Sequence, residues 1–174
     1  IAVADKFMEA VKNRGKYDLI DPRDQDKVGE HEAKEVYDAL VKQAWGNGDP
    51  GIIFLDRLNK DNPTPSLGEI ESTNPCGEQP LLPKEACNLG SINLAKFVVA
   101  RDGERALDYA ALKEMVWLTI RFLDDVVDVS KYPLPAIKTM VQGNRKIGLG
   151  VMGFADMLFQ LGVPYNSEEA LQVA

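Results

Sequence analysis

Residues 108–129 constrain the fold of this 174-residue chain more than any other segment. Asp108 is a suitable N-cap, and Pro133 and Pro135 stop the run, so the spacing predicts one long helix ending near Val129. The apolar residues of that helix do not form a single stripe. Leu112, Met115, Val116, Leu118, Ile120, Phe122, Leu123, Val126 and Val127 surround most of its girth. A helix of this kind is stable in water only when other elements cover more than one side. The expectation is a layered protein with this helix inside it, and with Trp45 and Trp117 in the core.

Shorter periodic segments supply candidate layers. Helices are expected over 1–13, over 32–45 with Gly46-Asn47-Gly48 closing it, over 136–142, and over 154–161 with Gly162 closing it and Pro164 just beyond. Ser167 followed by Glu168 and Glu169 reads as the start of another helix. Apolar or alternating runs predict strands at 17–20, 52–55 and 91–94, and the polar stretch 21–30 is expected to be a loop or hairpin edge. This mixture points to an α/β fold. Both ends fall inside expected helices, so 1–174 is expected to be a segment of one domain of a larger protein.

Composition removes several classes of function. A formal net charge of −7 opposes binding to nucleic acid or an anionic membrane through bulk electrostatics. The 45% hydrophobic content is that of an ordinary globular domain. No apolar run reaches the ~18 residues of a membrane span, and no basic-then-apolar leader is present. Two cysteines are too few for a disulfide framework, and with one histidine they cannot complete a four-ligand zinc site. The expectation is a soluble, cytoplasmic protein.

The chemistry concentrates in Ser72-Thr73-Asn74-Pro75-Cys76-Gly77-Glu78-Gln79-Pro80-Leu81-Leu82-Pro83. Proline lacks the amide donor and fixes φ, so three prolines in this stretch prevent a helix or a central strand and leave a stiff loop. Asn74, Cys76 and Glu78 alternate, and in extended backbone all three would project to one side. An amide, a thiol and a carboxylate on one face can bind and deprotonate a hydroxylated substrate beside a reactive sulfur. The plain alternative is a surface loop holding an inert cysteine. Cys87 follows eleven residues later, too far for metal-pair spacing; it reads either as a redox partner or as a small core residue.

Other motifs carry less. Gly148-Leu-Gly150-Val-Met-Gly153 is a literal G-x-G-x-x-G with Glu168 twenty residues after its first glycine, which would suit a dinucleotide-binding module. The residues before it, Gln142-Gly-Asn-Arg-Lys-Ile147, are not an apolar first strand, so close packing of a strand end on the next helix is the competing expectation. His31, among Glu30, Glu32 and Lys34, reads as solvated surface at a helix start. Asp124, Asp125 and Asp128 read as a solvated or ion-paired face.

The segment Gly68-Glu-Ile-Glu-Ser-Thr-Asn-Pro-Cys-Gly-Glu-Gln-Pro-Leu-Leu-Pro83, with Ala86-Cys-Asn-Leu-Gly-Ser-Ile-Asn-Leu94, resembles the catalytic subunit of ribonucleotide reductases. The flanks Gly48-Asp-Pro-Gly-Ile-Ile-Phe-Leu-Asp-Arg57 and Asn144-Arg-Lys-Ile-Gly-Leu-Gly-Val-Met-Gly-Phe-Ala-Asp156 extend the resemblance over essentially the whole chain. The Pro-Cys-Gly form is most similar to the adenosylcobalamin-dependent class; the di-iron class, with the radical supplied by a partner subunit, is the alternative. The resemblance implies part of a ten-stranded α/β barrel with the cysteine on a central finger loop, and a packing role for Gly148 to Gly153. It implies Cys76 as the thiyl-radical residue, Glu78 as the base for the 3′-hydroxyl, Asn74 as the amide on the ribose hydroxyls, and Cys87 as one of two reducing thiols. Thr73, Pro75 and Gly77 would line the substrate beside them. The partners implied are a ribonucleotide substrate, dNTP or ATP effectors bound outside this chain, a thioredoxin- or glutaredoxin-type reductant, and a second copy in a homodimer. The second reducing thiol is expected outside the chain, so activity is expected only in the full-length protein. A non-catalytic structural fragment remains the bland alternative.

Overall fold

The structure is a computed structural model that describes residues 1–101 and 103–174. The chain divides into two compact units, 1–83 and 84–174. Among the described residues the strands pair two by two into five small sheets and no closed barrel is formed.

In the first unit, β1 (Ala2–Val3) lies parallel to β4 (Ile53–Phe54), with Ala2 opposite Ile53. The helix expected over 1–13 is therefore shorter, α1 (Asp5–Lys12). The Ile1 carbonyl accepts from the Ile53 amide at 3.0 Å, which holds the first residues extended. The strand expected over 52–55 is likewise cut short: Leu55 already opens α3 (Leu55–Lys60), and Phe54 is exposed rather than buried. Asp56 accepts the Asp5 amide at 2.7 Å, so the two helix starts are tied to one another. Between these elements, β2 (Lys16–Ile20) and β3 (Lys27–Glu32) form an antiparallel hairpin. His31 belongs to β3, opposite Tyr17, and is exposed. Lys27 reaches across this hairpin to Asp18 at 2.8 Å and along its own strand to Glu30 at 2.5 Å. The next helix, α2 (Ala33–Asn47), ends at Gly48 in the left-handed region. Its inward stripe runs through Ala33, Val36, Leu40 and Ala44. Trp45 sits one residue, about 100°, off that stripe and is 89% exposed, not in the core. Val3, Ala33, Ile70, Leu81 and Leu82 are the unit's buried apolar residues.

The second unit is organised by a parallel pair. β7 (Asn88–Asn93) lies beside β10 (Ile147–Met152) over six residues, with Asn88 opposite Ile147. β7 begins before the strand expected at 91–94, and Leu94 already starts a single 3₁₀ turn. α4 (Tyr109–Val129) packs on this pair. Gly90 is the point of closest approach, where an added Cβ would stand 3.5 Å from Thr119 and 3.6 Å from Leu123. Asp108 caps α4 as expected, accepting from the Ala111 amide at 3.0 Å.

The expectation that α4 is buried on more than one side is not met. Only the stripe through Leu112, Thr119, Leu123 and Val127 turns inward, while Trp117 is 71% exposed and Leu118, Phe122 and Val129 are exposed with it. Thus Trp117 is not a core residue either: it stands two positions, about 200°, from Thr119, and no described element lies over that side.

Around α4, β8 (Val98–Arg101) and β9 (Glu104–Leu107) form a local hairpin, and α5 (Pro135–Asn144) precedes β10. The last helices are α6 (Phe154–Leu161), closed by Gly162 at φ +76°, and α7 (Glu168–Val173), capped by Ser167. Leu94, Met157, Leu158, Val163 and Ala170 form the core between them.

Two sequence features acquire physical roles here. Gly148 and Gly150 lie inside β10, whereas the dinucleotide fingerprint places its glycines after the strand, and the close-packing alternative fits better. Gly153, in the left-handed region at φ +69°, starts α6, and a Cβ there would fall 2.2 Å from the Asn93 side-chain oxygen. The Asp124–Asp128 face is ion-paired. Arg145 donates Nε to Asp124 at 2.7 Å and Nη1 to Asp128 at 2.9 Å, clasping the end of α4, and Arg121 pairs with Asp125 at 3.1 Å.

Gly153→Ala is expected to destabilise the fold by about 1–3 kcal/mol, because strained backbone and the Asn93 clash act together; urea unfolding measures it. Hydrogen bonding to Arg145 holds the Asp124 and Asp128 carboxyls below their ordinary value of 3.8. A lowered folded-state value stabilises above the unfolded value and is lost as pH falls through it. The stability difference between wild type and Arg145→Met should therefore be present at neutral pH and shrink in acid below that ordinary value, as read from unfolding midpoints across pH.

Candidate active site

The cysteine-bearing segment is a hairpin held at its base by asparagines. Asn59 in α3 grips Ile70 twice, accepting its amide at 2.7 Å and donating to its carbonyl at 3.0 Å. Asn62 donates to the Gly68 carbonyl at 2.9 Å. With Ile70 buried and fixed, the chain enters β5 (Ser72–Thr73), which pairs antiparallel with β6 (Pro80–Leu81). Pro80 takes the first position of its strand, where a missing amide donor is tolerated.

The six residues between the strands fold on Asn74. Its amide donates to the Gln79 carbonyl at 3.2 Å, and its side-chain Oδ1 accepts the Gln79 amide at 3.0 Å. The Asn74 carbonyl accepts from the Gly77 amide at 3.0 Å and from the Thr73 hydroxyl at 2.9 Å. Asn74 to Gly77 is thus a β-turn with proline at its second position, where a fixed φ favours the turn. Gly77, at φ +83°, takes a left-handed conformation that a side chain would resist.

This turn corrects the expectation of extended backbone, in which Asn74, Cys76 and Glu78 share one side. Cys76 stands at the tip and is exposed. A cavity of about 360 Å³ opens beside it, lined by Thr73, Pro75, Cys76 and Gly77 together with Ala2, Gly51 and Ile53. Asn74 and Glu78 do not line that cavity. The Asn74 oxygen is engaged in the turn, which leaves the amide NH₂ as its donor for a ligand, and Glu78 is exposed beside the tip. The hairpin therefore brings together a sulfur, a backbone turn and a hydroxyl at a space of small-molecule size.

Cys87 lies in the second unit, partly buried, one residue before β7. Near it in sequence is a group that the motifs did not single out. The Glu85 side chain is fully buried and accepts from Asn144 Nδ2 at 2.5 Å and from Lys146 Nζ at 2.6 Å. The partners are 59 and 61 residues apart, so no local periodicity could reveal the cluster; only the β7–β10 register does. Among the described residues no group of His, Cys, Asp and Glu is arranged to hold a metal ion, and no helix is long and apolar enough to cross a membrane.

The family model for the ribonucleotide reductase barrel domain matches residues 1–174. The vitamin B12-dependent ribonucleoside-diphosphate reductase of Thermoplasma acidophilum is 53% identical over 173 residues, 99% of this chain and 22% of that protein. The protein of the same name from Mycobacterium tuberculosis is 50% identical over 174 residues, the whole of this chain and 25% of its own length. The vitamin B12-dependent ribonucleotide reductase of Agrobacterium fabrum is 30% identical over 174 residues, 14% of its length. The chain thus spans a quarter or less of these relatives. On the match along its whole length, the chain belongs to the barrel-domain family of ribonucleotide reductases.

Proposed function

We propose that this chain carries the radical site of an enzyme that reduces ribonucleotides to deoxyribonucleotides, and that it does so as part of a full-length catalytic subunit. The observation that carries the reading is the exposed Cys76 at the tip of a hairpin built on Asn74, facing a cavity of about 360 Å³. A radical-bearing sulfur needs a rigid mount, so that it meets one hydrogen of the substrate and no other. Pro75, the Asn74 bonds and the left-handed Gly77 supply that rigidity.

The roles follow from residue chemistry. Cys76, as a thiyl radical, takes the 3′ hydrogen of the ribose and becomes a thiol. Glu78 accepts the proton of the 3′-hydroxyl, which helps the 2′-hydroxyl leave as water. The amide of Asn74 hydrogen-bonds the ribose hydroxyls, and Thr73 with the backbone of Pro75 and Gly77 lines the sugar. Cys87 and a second thiol outside this chain give up two electrons and two protons and end as a disulfide, after which Cys76 returns its hydrogen to the 3′ carbon.

The substrate class is a ribonucleoside diphosphate, the class printed in the names of the two relatives at 50% identity or above. Those names also support adenosylcobalamin as the radical source. The cavity beside Cys76 is of a size for part of a nucleotide, and this chain would present the thiol on which such a cofactor acts. A thioredoxin- or glutaredoxin-type dithiol reductant, nucleotide effectors bound elsewhere, a homodimer and a cytoplasmic setting complete the proposal.

In the full-length enzyme, Cys76→Ser is expected to abolish deoxyribonucleotide formation, and retained turnover would remove the radical role. Glu78→Gln is expected to lower kcat by about 10²–10⁴-fold, measured by product chromatography with KM followed separately. The isolated 174-residue chain, lacking the second reducing thiol, is expected to show no reduction with adenosylcobalamin and a dithiol, and turnover under those conditions would sink the fragment reading.

A further inference from the structure

The Glu85 cluster does more than fasten strands. Taking an ion pair out of water costs much of the attraction it returns, yet Glu85 is fully buried and Lys146 only 13% exposed. The register shows what stands beside them. Asn88 and Ile147 are the first pair of a parallel ladder, and continuing that register one step back sets Cys87 level with Lys146. Paired residues of neighbouring strands share a face. The next pairs along that face behave so: a Cβ on Gly148 would meet the Leu89 side chain, and one on Gly150 the Ser91 hydroxyl.

We infer that Lys146 is a positioning residue for Cys87, its ammonium stabilising the Cys87 thiolate in thiol–disulfide exchange while Glu85 holds that ammonium in place. The inference rests on reading Cys87 as a redox thiol. In the re-reduction step, a thiolate of an external dithiol attacks the other sulfur of the disulfide that Cys87 has formed. A new S–S bond forms as the old one breaks, and the electron pair departs on Cys87. A fixed cation abreast of that sulfur favours the departure. Glu85 is required because its carboxylate, 2.6 Å from Lys146 Nζ, fixes where that ammonium lies.

Arg145 is taken up by Asp124 and Asp128 of α4, and Lys84, on the approach to Glu85, is exposed.

The test is alkylation of Cys87 with iodoacetamide across pH in the full-length enzyme, read by peptide mass spectrometry. Lys146→Met should move the Cys87 profile up by about one pH unit, roughly tenfold less thiolate at neutral pH, and Lys146→Arg should restore it. Coincident wild-type and Lys146→Met profiles would overturn the inference, as would a failure of arginine to restore the shift. Should Lys146→Met not fold, the wild-type profile decides: a midpoint at or above the ~8.5 of an ordinary thiol refutes it, and a lower one upholds it. Cys87→Ser tests the underlying reading separately. Retained turnover there would remove the redox role, while the alkylation profiles would still report whether Lys146 acts on the sulfur.

Discussion

The parallel ladder between β7 and β10 is the interaction on which the second unit depends. It joins segments 59 residues apart and sets three things at once. It makes the surface that receives the inward stripe of α4 at Gly90. It brings Arg145 to the aspartates at the end of that helix. It also places Lys146 against Glu85. Removing the side chains from Gly148 and Gly150 leaves one face of the ladder low, so that Leu89 and Ser91 lie across it without displacement.

In the first unit the corresponding constraint is smaller and more local. One asparagine side chain, Asn59, fixes Ile70, and a second, Asn74, closes the turn that carries Cys76. Both use the amide group as a substitute for a missing backbone partner, in a stretch where prolines remove donors from the ladder. The turn that carries Cys76 is held by polar bonds to the backbone rather than by packing, and the sulfur is exposed.

Much of this was legible in the residues. The caps at Asp108, Gly48, Gly162 and Ser167 operate as read, because capping is a local matter of one side chain and the next turn. The prolines of 75–83 read as excluding a helix or a central strand, and the segment is a turn between two short strands; the acidic face of α4, read as solvated or ion-paired, is ion-paired. The misreadings share a cause. Ile1 to Val3 has helical composition but is drawn into a strand by residues fifty positions away. Asn74, Cys76 and Glu78 alternate, but the proline and the left-handed glycine turn the chain instead of extending it. The apolar girth of α4 implied a covering that no described element provides, and Trp117 was misplaced with it. Glu85 and Lys146 carried no signal, since a charged residue is ordinarily solvated and only the register makes these two meet.

The spacing of the paired segments also bears on the order in which the fold assembles. β2–β3, β5–β6 and β8–β9 are hairpins closed by short turns, whereas β1–β4 and β7–β10 must each close a loop of about 50 residues or more. Closure entropy rises with loop length and is lost before long-range contacts repay it. The hairpin bearing Cys76 can therefore form from local pairing alone, whereas the β1–β4 side of its cavity has to be gathered from distant parts of the chain. The mount of the sulfur and the space beside it are thus built by steps of different range, and a change that weakens only the long-range pairing would open the cavity while leaving the turn that carries Cys76 intact.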